Sequence, residues 1–226
     1  MDIMYSIVSF FAGGGAFMYP ILIVAAFATA IGVERYVTLT TLSVKNRSAW
    51  TRVEPALSNG DFDQAREVTS KDDTAISRLL RMGLARQGAV RRREDVEIAM
   101  EESMMEIIPQ LEKRTHYLAT FANLATLLGL LGTVSGLIHA FAAVATVNPA
   151  EKANLLSASI SEAMNCTAFG LMTAVPIVFV HALLQTKTTE LINSLETASV
   201  KFLNALTDRQ QTRGQSRLAL AQAAQG

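Results

Sequence analysis

Glu162 is the residue of this sequence best placed to do chemistry, because it is the only formally charged residue between positions 153 and 186. A charged side chain near the centre of a bilayer costs about 2.5–3.5 kcal/mol on insertion scales, so such residues are rare and usually functional. A carboxyl group there can take up and release a proton, as a proton path requires. The competing interpretation is an acid near a helix start that is stabilised by the helix dipole and never titrates.

Polar side chains accompany Glu162 on the same predicted helix. Steps of about 100° per residue place Cys166 on the face of Glu162, with Asn165 beside it, whereas Thr167 lies about 140° away. We therefore expect Glu162 and Thr167 to face different surroundings, such as a pore and a subunit seam. Hydroxyl and amide groups can hydrate an ion or relay a proton, and they also hold membrane helices together.

A second apolar stretch carries a run of small residues. Gly129, Gly132 and Gly136 recur at steps of three and four, which predicts a helix face that a neighbouring helix can approach closely, with Thr133 beside it. Pro176, in the third apolar stretch, frees a backbone carbonyl and is expected to kink its helix. By themselves these residues indicate helix packing, and an ion path lined by Thr133 is the alternative.

Three stretches nearly free of charge must position these residues, and each exceeds the roughly 20 apolar residues that a membrane helix needs. We predict an all-α membrane protein with transmembrane helices at residues 17–36, 116–147 and 154–186. The alternative is a soluble protein with unusually apolar core helices. The formal net charge of zero provides no basic excess for binding nucleic acid, and the single cysteine cannot form an intrachain disulfide.

Basic residues near the span ends predict the orientation, because cytoplasmic flanks are enriched in Lys and Arg. Arg35 lies at the end of the first span, Lys45 and Arg47 follow it, and Lys113 and Arg114 precede the second span. This pattern places the amino terminus outside and the carboxyl terminus inside. The predicted segments between the spans are a periplasmic interfacial segment at 1–16, a cytoplasmic helical loop at 37–115, a periplasmic turn at 148–153 and a cytoplasmic helical tail at 187–226.

The polar loop is predicted to be helical rather than disordered. Its third helix begins near Arg91 and is expected to enter the second span without a break, with a kink at Pro109. Candidate N-caps for the two earlier helices are Asp61 or Asp63, and Asp72, Asp73 or Thr74.

Apolar residues at helical spacing on the second and third long helices predict that both project from the membrane into a cytoplasmic helical domain. The two stripes comprise Val96, Met100, Ile107 and Leu111, and Leu191, Leu195, Ala198, Phe202 and Leu206.

Three stretches of the sequence resemble the MotA/TolQ/ExbB proton-channel family, in its ExbB/TolQ branch. Residues 30–39 (AIGVERYVTL) are similar to the family's exit from the first span. Residues 127–141 (LLGLLGTVSGLIHAF) are similar to its second-span signature, and residues 160–176 (ISEAMNCTAFGLMTAVP) to its third. The resemblance extends over almost the whole chain in order and spacing.

The resemblance implies a non-enzymatic ion-channel subunit of an inner-membrane motor. It implies a homopentamer that surrounds a single-span partner like ExbD or TolR with a transmembrane aspartate, and that energises a periplasm-spanning protein like TonB or TolA. Thr133 and Thr167 then align with pore-lining threonines, and Glu162 with the glutamate of ExbB-like members. No cofactor is expected, and the transported ion is a proton.

The alternatives from the residues themselves stay open at this point. Asn165 and Cys166 replace a small apolar pair common in the family, and the added polarity allows sodium, because oxygen ligands suit hard cations. A flagellar or gliding-type stator subunit is a related alternative. A passive helical scaffold is another, and the last is an intramembrane serine protease with a Ser135–His181 dyad.

Overall fold

The computed structural model describes residues 13–87 and 93–223, and all regular elements in these ranges are α-helices. Residues 1–12, the greater part of the predicted interfacial segment, lie outside the described residues. The helices are α1 (Met18–Ser58), α2 (Phe62–Ser70), α3 (Ala75–Gln87), α4 (Arg93–Glu112), α5 (Thr115–Val144) and α6 (Lys152–Ala223). The predicted all-α class is therefore confirmed.

The chain folds as two compact units, and α1 and α6 contribute residues to both. The membrane unit comprises Met1–Tyr36 and Arg114–Gln185, and the helical unit comprises Val37–Lys113 and Thr186–Gly226. The described residues include three helical segments that are long and apolar enough to cross a membrane, within Met18–Ser58, Arg93–Val144 and Lys152–Arg209.

The membrane unit buries small residues and exposes large apolar ones. Alanine is the commonest of its buried side chains, as at Ala122, Ala125 and Ala163, whereas Phe141 and Phe179 are more than half exposed. Small buried residues let helix backbones approach closely, which is how helices associate in a membrane without a hydrophobic driving force. The exposed apolar surface suits lipid or further protein subunits.

The helical unit has the core expected of a protein in water. Phe202 is fully buried, and its ring packs edge-on against Phe62 with ring centroids 6.0 Å apart. All residues of the two predicted apolar stripes are buried, which confirms that both stripes pack inside the protein. The N-caps are resolved as Asp61, which accepts from Gln64 N at 3.0 Å, and Thr74, which accepts from Ser77 N at 3.3 Å.

The helix that precedes the second span does not enter it without a break, so that prediction is wrong. Pro109 lies inside α4, and the interruption comes at Lys113 and Arg114, where Arg114 adopts a left-handed conformation with φ of 65°. A left-handed residue costs about 1–2 kcal/mol unless it is glycine. The Nη1 of Arg114 donates to both carboxylate oxygens of Glu34, at 2.8 and 3.0 Å, and this ion pair links the break to α1.

Candidate ion-pathway site in the membrane unit

The backbones of helices α5 and α6 are in close contact at Gly129 and Gly170. A Cβ atom added to Gly170 would lie 2.7 Å from the carbonyl oxygen of Ala125 and 3.0 Å from the Cα of Gly129. Both neighbours are backbone atoms, which cannot rotate away as a side chain can. The two helices can pack at this spacing only because both positions are glycine.

The contact continues along both helices in antiparallel order. A Cβ on Gly132 would collide with the Sγ of Cys166, and a Cβ on Gly136 would lie 2.9 Å from the Cβ of Ala163. The three glycines predicted as a small-residue face thus all lie on the α5–α6 contact. We call this contact the glycine seam.

A pair of threonines lies at the glycine seam. The hydroxyl oxygens of Thr133 and Thr167 are 2.5 Å apart, so one donates a hydrogen bond to the other. Both also lie near the carbonyl oxygen of Gly129, at 3.2 Å from Thr133 and 2.9 Å from Thr167. The structure therefore brings together two of the four predicted ion-pathway residues, from two different helices.

The three oxygen atoms of this cluster make three close contacts with one another but share only two hydroxyl protons. Two hydroxyl groups provide two protons for three close oxygen pairs, so one pair lacks a proton in any single arrangement. The hydroxyl groups can exchange donor and acceptor roles by rotation. Such a cluster can accept a hydrogen bond from water or offer oxygen ligands to a small hard cation.

Glu162 and Asn165 lie instead against the chain that precedes α1. Asn165 Nδ2 donates to the carbonyl oxygen of Gly13 at 3.3 Å, and a Cβ placed on Gly15 would collide with the Glu162 carboxylate. We call residues 13–15 the glycine turn. The Glu162 side chain is exposed in the single chain, whereas Thr167 is half-buried.

The polar residues of α6 thus form two positions rather than one. Glu162 and Thr167 are separated by about 140° around the helix and about 7.5 Å along it. They face different surroundings, the glycine turn and α5 respectively, as the helical step predicts. Cys166, expected on the face of Glu162, is buried against Gly132 while Glu162 is exposed.

Two further residues of these helices, Pro176 and His139, are less involved. Pro176 is exposed and lies inside α6, which continues as a helix on both sides of it. His139 is exposed and lies one position before the buried Ala140 near the end of α5. Among the described residues, no cluster of three or more His, Cys, Asp or Glu side chains is arranged to hold a metal ion.

Sequence reasoning missed the contact between the glycine turn and Glu162. The available signal was three consecutive glycines immediately before an apolar stretch, since consecutive glycines can adopt backbone conformations that other residues avoid. From the sequence, residues 13–15 are only part of the predicted interfacial segment. The pairing of Glu34 with Arg114 has no local signal either, because the two residues lie 80 positions apart.

The three apolar helices, with a polar cluster inside the membrane unit, define a multi-pass membrane protein with a candidate ion path. The profile of the MotA/TolQ/ExbB proton channel family matches residues 71–197, and the chain belongs to that family. This range includes all of α4 and α5, and it includes α6 as far as Thr197. The four predicted ion-pathway residues all lie within it.

Relatives of two kinds are similar to this chain. The Tol-Pal system protein TolQ of Haemophilus influenzae is 34% identical over 109 residues, which cover 48% of this chain and 46% of that protein. TolQ of Pseudomonas aeruginosa is 28% identical over 139 residues, covering 58% and 60% respectively. A putative biopolymer transport protein, ExbB-like 1, of Synechocystis is 30% identical over 168 residues, covering 73% and 65%. The matches to these three relatives each span less than two thirds of the relative's length.

Proposed function

We propose that this protein is the ion-conducting subunit of an inner-membrane motor that couples the proton motive force to work on a periplasm-spanning partner. The observation that carries the proposal is the cluster of Thr133, Thr167 and the Gly129 carbonyl inside an otherwise apolar helix contact. Membership of a proton channel family and similarity to TolQ support it. Three helices that are apolar enough to cross a membrane, together with the similarity to TolQ, support an inner-membrane location.

The proposed assembly is a homopentamer around single-span helices of an ExbD- or TolR-like partner that carries a transmembrane aspartate. The amino terminus lies in the periplasm and the carboxyl terminus in the cytoplasm, as the positions of Arg35, Lys113 and Arg114 favour. The exposed apolar surface of the membrane unit offers area for such neighbours. Outer-membrane transport or maintenance is the work proposed for the motor.

The energy supply is adequate for such a motor. One elementary charge crossing 100 mV releases about 2.3 kcal/mol. A difference of about 1.4 kcal/mol between two states already changes their ratio tenfold. One ion per step can therefore bias two arrangements of the partner strongly, provided that its passage depends on which arrangement is present.

Glu162 and the threonine cluster have distinct roles in this proposal. The carboxyl of Glu162 exchanges a proton or attracts a cation at one position of the path, next to Asn165. Thr133 and Thr167 replace part of the hydration shell at a second position, about 7.5 Å further along α6. Because three oxygens also suit a hard cation, sodium is the second candidate ion.

An intramembrane serine protease is opposed by the geometry of the membrane unit. The glycine seam pairs Gly136 with Ala163, whereas Leu118 and Val180 both contact Gly32. Ser135 is next to Gly136 on α5, whereas His181 is next to Val180 and so lies level with Leu118 of α5. Ser135 and Leu118 are about 25 Å apart along α5, which is too far for a hydrogen bond between Ser135 and His181.

The test is ion flux in liposomes that contain this chain with its single-span partner. Thr167→Val keeps the shape of the side chain and removes the hydroxyl, and we expect it to reduce proton flux at a fixed membrane potential. Thr167→Ser restores the hydroxyl and is the matched control, with flux close to that of the unmodified protein. Equal flux in all three proteins would support a passive scaffold.

A second set of liposomes distinguishes the two ions. Flux is measured with a proton gradient and no sodium, and then with a sodium gradient at equal pH on both sides. Flux in the first condition alone identifies the proton as the transported ion. Flux in the second condition alone identifies sodium and would overturn the proton assignment.

A further inference from the structure

The glycine turn contacts the candidate ion path through two adjacent side chains of α6. The Glu162 carboxylate lies against Gly15, so a Cβ there would be 3.2 Å from its Cδ and nearer still to Oε1. The amide of Asn165 donates to Gly13 O at 3.3 Å. The turn is thus fixed at one end by a hydrogen bond and lies against the carboxylate at the other.

Gly15 combines two properties that only glycine provides at this position. Its φ is +74°, in the left-handed region that other residues rarely adopt, and the space beside its Cα is occupied by the Glu162 side chain. Its carbonyl also accepts from Met18 N at 3.3 Å, at the start of α1. Gly15 therefore contacts both the first turn of α1 and the Glu162 carboxylate.

The residues next to the turn attach it to the glycine seam. Gly14 is buried against the side chain of Met18, which is itself fully buried. A Cβ on Gly132 would lie 3.3 Å from the Cβ of Phe17 and would collide with Cys166. Phe17 and the thiol of Cys166 therefore meet over the same glycine of α5.

From this geometry, and resting on the proposed role of Glu162 in ion passage, we propose that Gly15 is a positioning residue for the Glu162 carboxylate. Asn165 holds the glycine turn in place, which gives it a positioning role besides its predicted place in the ion path. The turn bounds the space beside the carboxylate, because a side chain at position 15 would occupy the place of its Oε1 atom. A methyl group at position 15 displaces the carboxylate and impairs ion passage, although no ionisable group has been removed.

The test is a double-mutant cycle between residues 15 and 162 in the full-length chain with its partner. Gly15→Ala is expected to lower proton flux about tenfold. Glu162→Asp withdraws the carboxylate by about 1.5 Å, the length of one carbon–carbon bond. Because the Cγ position of Glu162 is 3.4 Å from the added methyl, an ordinary contact distance, Gly15→Ala should lower the flux by less than twofold when it is introduced into the Glu162→Asp variant. Additive losses would overturn the proposal.

A matched control separates this contact from backbone strain. Gly60 has nearly the same left-handed φ, +69°, but a Cβ there would have no heavy atom within 4 Å. Gly60→Ala therefore imposes the strain without the collision, and flux should stay within twofold of the unmodified protein. A tenfold loss in this variant as well would show that a left-handed alanine lowers the flux without any contact with the carboxylate.

A second measurement does not depend on conduction. Cys166 is the only cysteine of the chain and is 2% exposed, so a maleimide should label it slowly. Asn165→Ala releases the turn together with Phe17, and we expect labelling to accelerate at least tenfold. Met164→Ala, at an exposed neighbouring position, is the control and should leave the rate unchanged. Equal rates in the Asn165 variant and the control would contradict the anchoring role.

The two proposals can fail separately. If Glu162→Gln abolishes flux while Gly15→Ala does not change it, the proposed function stands and the positioning role is wrong. If flux is independent of Glu162 but Cys166 becomes reactive in Asn165→Ala, the turn is anchored as described. In that case the carboxylate has no part in conduction, and the positioning proposal falls with the function on which it rests.

Discussion

Replacing Gly170 by alanine should open the threonine cluster without touching either threonine. The new Cβ would lie 2.7 Å from the Ala125 carbonyl oxygen, and ordinary contact begins at 3.4 Å. The helices must therefore separate locally by about 0.7 Å, because neither backbone atom can rotate away. If that shift acts along the contact, the 2.9 Å hydrogen bond from Thr167 to Gly129 lengthens to about 3.6 Å, beyond hydrogen-bond range.

The energetic consequences differ between folding and conduction. Overpacking costs about 1–3 kcal/mol, and the lost hydrogen bond about 1 kcal/mol more, so the purified assembly should unfold at a lower temperature. If ion passage uses the hydroxyl of Thr167 at that distance, a loss of about 1.4 kcal/mol in the barrier step lowers flux about tenfold. The assay is proton flux in liposomes with matched amounts of assembled protein.

An exchange elsewhere in the glycine seam provides the control. Gly136→Ala brings two methyl groups together, and Ala163→Gly in the same chain removes one of them, so the total volume is conserved. This double variant should assemble and conduct like the unmodified protein. Unchanged flux in Gly170→Ala, with helix spacing also unchanged by cryo-EM, would refute the reasoning.

Three further predictions concern stability. Arg114→Gly removes the ion pair to Glu34 but suits the left-handed backbone, whereas Arg114→Ala should be about 1–2 kcal/mol less stable than the glycine variant; equal unfolding midpoints would contradict this. Phe202→Ala should cost about 3–5 kcal/mol in the helical unit, measured by proteolysis of that unit, whereas Val200→Ala at an exposed position should cost much less. Asp61→Ala removes the N-cap of α2 and should cost about 1 kcal/mol in the same assay, and no loss would show that the cap is dispensable.

Much of the fold could be predicted because it depends on periodic patterns. Stretches nearly free of charge and longer than a bilayer crossing identify the helices that can span a membrane. The two apolar stripes that contain Met100 and Phe202 identify the helix faces that are buried. The break at Arg114 could not be predicted in this way. It depends on an ion pair with Glu34, distant in sequence, and on a left-handed residue that is not glycine.

The candidate site was predicted in part for the same reason. Helical steps place Glu162 and Thr167 on different sides of α6, and small residues at three- and four-residue steps identify the seam. The hydrogen-bonded approach of Thr133 to Thr167 depends on the register between α5 and α6, which no local pattern specifies. The contact of Gly15 with Glu162 joins positions far apart in sequence and required the structure.

The most direct test of the central claim is the proton flux of liposomes containing the complete assembly with and without the Glu162 carboxyl. Flux is measured at one imposed membrane potential for the unmodified protein and for Glu162→Gln, which keeps the side-chain size and removes the titratable group. We expect the flux to fall to the level of protein-free liposomes in the Gln variant, while subunit assembly is retained. Equal flux in both proteins would contradict the claim that ions pass this carboxyl group.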